Sequence, residues 1–244
     1  MKKRLDVLLA ERGLAESRQK AQALVLAGLV FVDGRRAEKP GSLVAPDAQV
    51  QLKRPPQYVG RGALKLKAAA ERFGVSFQGK VAMDVGASTG GFTDFMLKRG
   101  AKRVYAVDVG WGQLHQRLRR DPRVVVLERR NIRHLRRSEV PEAVEMATVD
   151  VSFISLRKVL PPVVQFLAPG AEVLALVKPQ FELSPREVQK GGVVKDEHKR
   201  LQAVELVKEA AQGLGLRVLG TMPCPVAGQK KGNVEYFVYL RKEE

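Results

Sequence analysis

Two residues of opposite charge stand where apolar runs typical of buried strands end. Asp150 closes one run and Lys178 closes the next. If the two strands are neighbours, both side chains reach the same edge of one sheet. A lysine shielded from water beside other cations has a lowered pKa and can act as a base. A nearby carboxylate opposes that shift and orients the amine. Such a pair is suited to aligning a hydroxyl group and removing its proton during group transfer.

Two further residues could complete this polar cluster. Lys65 lies on the helix predicted before the first strand of the same domain, and Glu235 lies on the last strand. Each has an ordinary explanation as half of a surface ion pair. Spacing alone therefore selects neither of them.

A glycine-rich segment, 84–94, follows a predicted strand and opens a helix. Its glycines let a ligand approach the backbone, and the free amides of the helix start favour a negative group. A dinucleotide site is one interpretation, but the glycine spacing misses G-x-G-x-x-G. A nucleophile elbow is a second, because 86–90 spells G-x-S-x-G. That elbow would sit on the first strand of its domain, which argues against a hydrolase.

The third interpretation is a pocket for S-adenosylmethionine. Asp108, at the end of the next strand, would accept hydrogen bonds from the ribose, since an acid about 20 residues beyond such a turn suits a bound ribose. Its ordinary explanation is that it caps a loop. Asn131 is a weaker candidate near the adenine. The residues expected to face the methionine part are Asp84, Gly86, Ser88, Thr89, Gly90 and Gly91.

The apolar pattern also predicts the elements that must position these residues. After a helix over 61–73, strands alternate with mostly helical stretches, which indicates an α/β domain with a mostly parallel sheet covered on both faces. The last connection, 221–233, contains two prolines and no helical periodicity, so we expect an antiparallel final strand. The predicted strands are 80–85, 104–107, 124–127, 147–151, 173–177, 216–220 and 234–240.

The first part of the chain has a different pattern, which predicts a small α+β unit. Two stretches have helical spacing, with Ser17 placed to cap the second helix and Gly28 to end it. Asp33-Gly34 is a hairpin turn signal. The predicted helical stretches are 5–9 and 21–25, and the predicted strands are 29–32 and 49–52.

Two prolines, Pro55 and Pro56, mark a stiff connection between the two parts. We therefore predict a small domain over residues 1–53, a linker over 54–60 and an α/β domain over 61–244.

Charge is the most informative global property. The chain has 43 Lys and Arg against 26 Asp and Glu, a net charge of +17, which favours a polyanionic partner. The segment 99–137 is especially rich in arginine, whose fork suits phosphate, although a solvated helix face is the ordinary explanation for any single one.

Composition excludes several classes of protein. No apolar run approaches the roughly 18 residues of a membrane span, and no secretory signal begins the chain. One cysteine and three scattered histidines supply neither an internal disulfide nor a zinc cluster. We therefore expect a soluble, cytoplasmic protein without a metal site.

Taken together, these motifs resemble the TlyA-type ribosomal RNA 2′-O-methyltransferases, also labelled haemolysin A. That family joins an S4-like RNA-binding domain to an FtsJ-like methyltransferase domain. The resemblance runs almost end to end, and several ordered motifs are more specific than any single one. The markers are Arg4-Leu5-Asp6 and the segments 17–21, 61–66, 84–94, 108–114, 150–156, 177–182 and 232–237.

The resemblance implies a Rossmann-like class I methyltransferase fold with S-adenosylmethionine as cofactor. The family's Lys-Asp-Lys-Glu tetrad falls on Lys65, Asp150, Lys178 and Glu235, with Lys178 at the centre of hydroxyl activation. The implied substrate is a cytidine ribose in ribosomal RNA or a ribosomal subunit, with no obligate protein partner. The residues expected to grip the RNA are Arg4, Arg18, Lys20 and Arg61.

Two departures from the family pattern bear on the substrate. Members that act on both subunits carry a basic residue in the linker where this chain has Pro56, although Tyr58 and Val59 are kept. The sequence also stops directly after the last strand, at 241–244, like shorter members that modify only the large-subunit RNA. We therefore expect 23S RNA as the substrate, with 16S RNA as a further candidate.

Two alternative functions compete with this one. The first is an RNA-binding assembly factor whose cofactor pocket has lost its use, which calorimetry with S-adenosylmethionine would distinguish. The second is a membrane-lytic protein, suggested only by the haemolysin label. The missing signal and spans argue against the second.

Overall fold

The computed structural model describes residues 2–53, 57–189, 191–226 and 233–244. The chain forms two compact units, Met1–Gln57 and Tyr58–Glu244. Pro55 and Pro56 of the predicted linker lie outside the described residues. Each unit has an apolar core of its own.

The first unit packs two helices against short strands. Two antiparallel sheets are present, one pairing β1 with β4 and one in the order β3-β2-β5. The elements are β1 (Lys3–Arg4), α1 (Leu5–Glu11), α2 (Arg18–Leu26), β2 (Val30–Val32), β3 (Arg35–Arg36), β4 (Leu43–Val44) and β5 (Val50–Leu52). Its buried core is Leu5, Leu9, Ala21, Val25 and Val30.

The local signals in this unit are confirmed. The hydroxyl of Ser17 accepts a hydrogen bond from the amide of Lys20, 3.2 Å away, which caps α2. Asp33 and Gly34 both have positive φ, 48° and 78°, as the two-residue hairpin turn between β2 and β3 requires. Pairing of β1 with β4 was not predicted, because strands of two residues carry too little pattern.

The second unit is a three-layer α/β structure. Its strands are β6 (Val81–Val85), β7 (Arg103–Asp108), β8 (Val124–Glu128), β9 (Val144–Val149), β10 (Leu167–Val177), β11 (Leu216–Pro223) and β12 (Tyr236–Lys242). Its α-helices are α3 (Gly62–Phe73), α4 (Gly91–Lys98), α5 (Gln116–Arg119), α6 (Leu156–Val164), α7 (Pro179–Glu182) and α8 (Glu197–Gln212).

The seven strands form one sheet in the order β11-β12-β10-β9-β6-β7-β8. Pairing is parallel from β10 to β8, whereas β12 is antiparallel to both β10 and β11, which confirms the expected antiparallel final strand. Large apolar clusters cover both faces of the sheet. Since β9 and β10 are parallel neighbours, the condition for Asp150 and Lys178 to meet is satisfied.

Asp6 organises the polar face of the first unit. Its carboxylate is fully buried and accepts hydrogen bonds from Arg4 at 3.1 Å, Gln22 at 2.8 Å and Arg18 at 3.3 Å. The bonded guanidinium of Arg4 lowers the pKa of Asp6 well below its usual range against the opposing effect of burial, and Gln22 and Arg18 assist. Asp6 therefore holds two of the predicted RNA-binding arginines in fixed positions.

We predict that Asp6→Ala destabilises the first unit by about 1–3 kcal/mol, because Arg4, Arg18 and Gln22 lose their shared buried acceptor. Because the folded-state pKa is depressed, the stabilisation by Asp6 exists above its ordinary pKa and is lost as pH falls. Hydrogen exchange of the α2 amides at neutral pH measures the effect. Asp47→Ala, an exposed change in the same unit, is the control. Equal exchange in the two variants would contradict the prediction.

Candidate active site

The structure brings the four predicted polar residues into one connected cluster. Lys65 Nζ lies 2.6 Å from Glu235 Oε2 and 3.8 Å from Asp150 Oδ2, and Lys178 Nζ lies 2.5 Å from Asp150 Oδ1. Lys178 and Glu235 are buried, and the other two are partly buried. Asp150 therefore joins two lysines, and Lys65 joins two carboxylates.

Each member of this quartet comes from a different element. Asp150 and Lys178 directly follow the carboxyl ends of β9 and β10, whereas Lys65 lies on α3. Glu235 immediately precedes β12, which runs antiparallel to β10, so the start of β12 lies at the same edge of the sheet. The fold thus gathers residues that are up to 170 positions apart in the chain.

The carboxylates of Asp150 and Glu235 determine the pKa of Lys65. Burial lowers its pKa, but the charges of Asp150 and Glu235 and the hydrogen bond to Glu235 outweigh burial, so the net shift is upward. Lys65 therefore stays protonated at neutral pH. Its positive charge offsets two partly desolvated carboxylates, which would otherwise repel each other.

Lys178 has a second contact that the sequence did not indicate. Its Nζ donates a hydrogen bond to the hydroxyl of Ser152, 3.0 Å away, in addition to pairing with Asp150. In its neutral, basic form a lysine amine has two donors and one lone pair. With both donors directed at protein acceptors, the amine is fixed and its lone pair is left for a ligand.

The quartet lines a cavity of about 460 Å³, which also contains the glycine-rich turn. This volume lies within the usual range of small-molecule sites, roughly 300–1,000 Å³. The lining residues outside the quartet are Arg61, Gly62, Gly86, Ala87, Ser88, Thr89, Gly91, Phe92, Ser152, Phe153, Gln180, Phe181, Val188, Gly192, Val226 and Asn233.

The glycine-rich turn packs directly against the quartet. Gly86 has φ of +87°, and a Cβ placed there would fall on the backbone carbonyl of Asp150. Gly90 has φ of +91°, and a Cβ there would fall on Leu118 and Leu114. Only glycine satisfies both the conformation and the close approach. Gly86 therefore lets the turn after β6 pack against the backbone of Asp150.

Asp108 holds the other side of this turn. Its two carboxylate oxygens accept hydrogen bonds from the amides of Ser88 and Gly110, each at 2.7 Å. Asp108 therefore does cap a loop, and its remaining lone pairs could still accept from a ribose. Asn131 accepts from the amide of Arg133 at 3.1 Å, and neither Asp108 nor Asn131 lines the cavity.

Asp84 lies beneath the turn and does not line the cavity. It is fully buried, accepts from the amide and hydroxyl of Thr93 at 2.9 and 2.7 Å, and accepts from Thr148 at 3.3 Å. Burial raises its pKa to about 7, with Thr93 opposing the rise and the nearby charge of Asp150 adding to it. Asp84 thus anchors the first turn of α4 to β6.

Two aromatic residues that the sequence did not single out, Phe153 and Phe181, form part of the cavity wall. Phe153 is 89% exposed with φ of +64°, and its ring lies 5.2 Å from that of Phe181. An exposed phenylalanine in the left-handed region is uncommon. Both residues lie in segments that carry the family resemblance, 150–156 and 177–182. Only the backbone path after β9 and β10 shows that the two rings meet.

The basic residues predicted to grip RNA lie in both units. Arg61 is exposed at the cavity, whereas Arg4, Arg18 and Lys20 are exposed on the first unit. A further exposed residue of the second unit, Trp111, lies under the guanidinium of Arg129 at 4.8 Å. Trp111 stays 69% exposed beside this cation–π contact.

The cavity fits S-adenosylmethionine on the residues present. Gly86, Ser88, Thr89 and Gly91 line it, and it reaches the first turn of α4, where helix amides favour an anionic group such as a carboxylate. The fold and the site thus define a Rossmann-like methyltransferase domain, joined to a separate small unit.

Comparisons with known proteins agree with this class. The model of the FtsJ-like methyltransferase family matches residues 58–242, and that of the S4 domain matches residues 3–50. The 16S/23S rRNA (cytidine-2′-O)-methyltransferase TlyA of Mycobacterium tuberculosis is 45% identical over 242 residues, which cover 98% of this chain and 90% of that protein. The chain belongs to the TlyA family of FtsJ-like methyltransferases with an S4 domain, as its motifs had indicated.

Two further relatives support the same placement. The 23S rRNA (cytidine-2′-O)-methyltransferase TlyA of Campylobacter jejuni is 38% identical over 76% of this chain and 71% of that protein. A solved structure of a hemolysin-type protein from Streptococcus thermophilus is 40% identical, with a TM-score of 0.76, and covers 100% of this chain and 89% of that one. Among the helices that the structure describes, none is both long and apolar enough to cross a membrane.

We predict that Asp84→Asn changes the pH dependence of stability. The folded-state pKa of about 7 exceeds the ordinary 3.8, so the folded wild type retains its proton between these values and becomes less stable as pH rises through this window. Asparagine does not titrate. As pH rises through the window, the free energy of unfolding of the variant therefore increases relative to wild type by about 1.4 kcal/mol per pH unit. Urea unfolding between pH 4 and 8 measures this change. A constant difference between the two proteins would contradict it.

Proposed function

We propose that this protein transfers the methyl group of S-adenosylmethionine to the 2′-hydroxyl of a cytidine in ribosomal RNA. The observation that carries the proposal is the shared cavity, in which a lysine-centred quartet faces the glycine-rich turn after β6. The named activities of the Mycobacterium and Campylobacter relatives support it.

The quartet is suited to activating a hydroxyl. S-adenosylmethionine supplies the methyl group as an electrophile. Asp150 and Ser152 hold the Lys178 amine, which receives the 2′-hydroxyl proton as the oxygen attacks, and Asp150 stabilises the ammonium that forms. Lys65 stays positive and pairs with both Asp150 and Glu235. Hydroxyl activation by such a positioned base contributes typically about 10²–10⁴-fold.

Recognition of RNA would use the excess of positive charge. The S4 domain carries Arg4 and Arg18 on the buried Asp6, and Lys20 is exposed on the same helix as Arg18. Arg61 would meet the RNA at the mouth of the cavity. We propose 23S RNA as the substrate, because the printed activities of both relatives include it, and 16S RNA as a further one.

Such an activity would take place where ribosomes are made. We therefore propose a cytoplasmic protein that acts on ribosomal RNA or an assembling subunit without an obligate protein partner. The single cysteine, Cys224, is a buried free thiol, which is consistent with a reducing compartment.

We predict that Lys178→Ala abolishes transfer of tritiated methyl groups to ribosomal RNA, with a loss of at least about 100-fold. Binding of S-adenosylmethionine, measured by calorimetry, should remain within a few fold, because Lys178 follows β10 and the turn follows β6, two strands away. Lys208→Ala, a surface lysine on α8, is the control. Full activity of the Lys178 variant would remove this residue from the mechanism, and absent cofactor binding by the wild type would favour an RNA-binding assembly factor.

We predict that Arg18→Ala weakens binding of 23S RNA and lowers the slope of log affinity against log salt by about 1, as loss of one phosphate contact should. The side chain of Arg18 is 56% exposed, and its guanidinium is oriented by Asp6. Arg217→Ala, at an exposed position of β11, is the control for loss of one positive charge. Identical slopes for the two variants would exclude Arg18 from the RNA contact.

A further inference from the structure

One buried carboxylate near the quartet has no part in the hydroxyl activation proposed for Lys178. Glu182 is 3% exposed and lies at the end of α7, four residues after Lys178. Its Oε2 accepts a hydrogen bond from the hydroxyl of Ser155 at 2.5 Å, and its Oε1 accepts from the amide of Leu156 at 2.7 Å. The guanidinium of Arg157 adds an ion pair at 3.6 Å and donates to the carbonyl of Glu182 at 2.9 Å.

These contacts connect two segments that also meet at the quartet. The segment 150–157 follows β9, and the segment 178–182 follows β10. At one end they are joined by Lys178, through Asp150 and Ser152, and in the middle by the rings of Phe153 and Phe181. Glu182 joins them at the other end. The two segments are therefore fastened along their whole length.

The segment after Asp150 needs such a fastening. Phe153 has φ of +64°, a conformation that costs about 1–3 kcal/mol outside glycine and persists only where the surroundings hold it. Ser152, the partner of Lys178, is the residue directly before it. If the far end of the segment were released, relaxation at Phe153 would carry Ser152 and Asp150 away from the lysine.

Glu182 is also more than an ordinary helix cap. Ser155 already caps α6, since its hydroxyl accepts from the amide of Arg157 at 3.1 Å. Burial of Glu182 raises its pKa, with the bonds from Ser155 and Leu156 opposing the rise. Glu182 is therefore a second acceptor at the start of α6, and burying it has a cost. That cost is explained if Glu182 also holds the segment after β9 in place.

We propose that Glu182 is a positioning residue for the reaction, which keeps Asp150 and Ser152 against Lys178 by fastening the segment after β9 to α7. Only the expected effect on methylation kinetics rests on the proposed function. Phe181 lines the cavity, whereas Glu182 is not among the residues that line it.

The kinetic test compares Glu182→Ala and Glu182→Gln with wild type in methylation of 23S RNA. The alanine variant should lose about 10- to 100-fold in kcat, the scale expected when a reacting group shifts by about 1 Å. KM for RNA and the affinity for S-adenosylmethionine should stay within about two-fold, and the glutamine variant, which can still accept from Ser155, should recover much of kcat. Glu205→Ala, on α8, is the control for removal of an exposed carboxylate.

A second readout needs no methylation activity. Lys178 is 8% exposed and engaged by Asp150 and Ser152, so its amine should react slowly with an acetylating N-hydroxysuccinimide ester. In Glu182→Ala the acetylation of Lys178, measured by peptide mass spectrometry, should rise several-fold, with no rise in Glu205→Ala. This measurement tests the fastening even if the wild type transfers no methyl group to RNA, a result that would contradict the proposed function alone.

Kinetics and labelling together decide the role of Glu182. Reduced kcat with unchanged KM, recovery by glutamine and faster labelling of Lys178 would support the assignment. Wild-type kcat together with unchanged labelling in Glu182→Ala would overturn it. If the alanine variant does not fold, Glu182→Leu, which fills the space but accepts no hydrogen bond, replaces it, and wild-type kcat and labelling in Glu182→Leu would overturn the assignment equally.

Discussion

The ion pair between Lys178 and Asp150 holds the candidate active site together. It joins the carboxyl ends of β9 and β10, the two strands that lie between the antiparallel β12 and the glycine-rich turn after β6. A buried lysine keeps a defined position only when acceptors surround it, and Asp150 and Ser152 are those acceptors. The fold places an amine, held on two sides, where a hydroxyl can approach it.

Around this pair, the protein uses carboxyl groups to hold backbone in place. Asp84 fixes the start of α4, Asp108 fixes the turn, and Glu182 fixes the segment after Asp150. Each carboxylate accepts at least one backbone amide, so each orients a loop as well as a side chain. In a preorganised site of this kind, the polar groups do not have to reorient during the reaction. Electrostatic stabilisation of the transition state is largest in such sites.

The sequence predicted the sheet well, because its strands are long apolar runs and its turns carry glycine. It also predicted that Asp150 and Lys178 would meet if their strands were neighbours, a condition that strand order alone could decide. Lys65 and Glu235 had no such signal from spacing, and only the family resemblance singled them out. The contacts of Ser152 and Glu182 were not foreseen, because they depend on the path of loops with no periodic pattern. Asp84 lay in the glycine-rich motif, but its burial beneath the turn could not be read from its type.

A structure of the protein bound to S-adenosylhomocysteine and a fragment of 23S RNA would decide whether Lys178 activates the hydroxyl. We predict that Lys178 Nζ lies about 2.6–3.2 Å from the 2′-oxygen of the target cytidine, the distance that proton transfer requires. Asp150 should keep its contact with Lys178 in that complex. A target ribose bound away from Lys178, with the pair intact but unused, would contradict the assignment of Lys178 as the base.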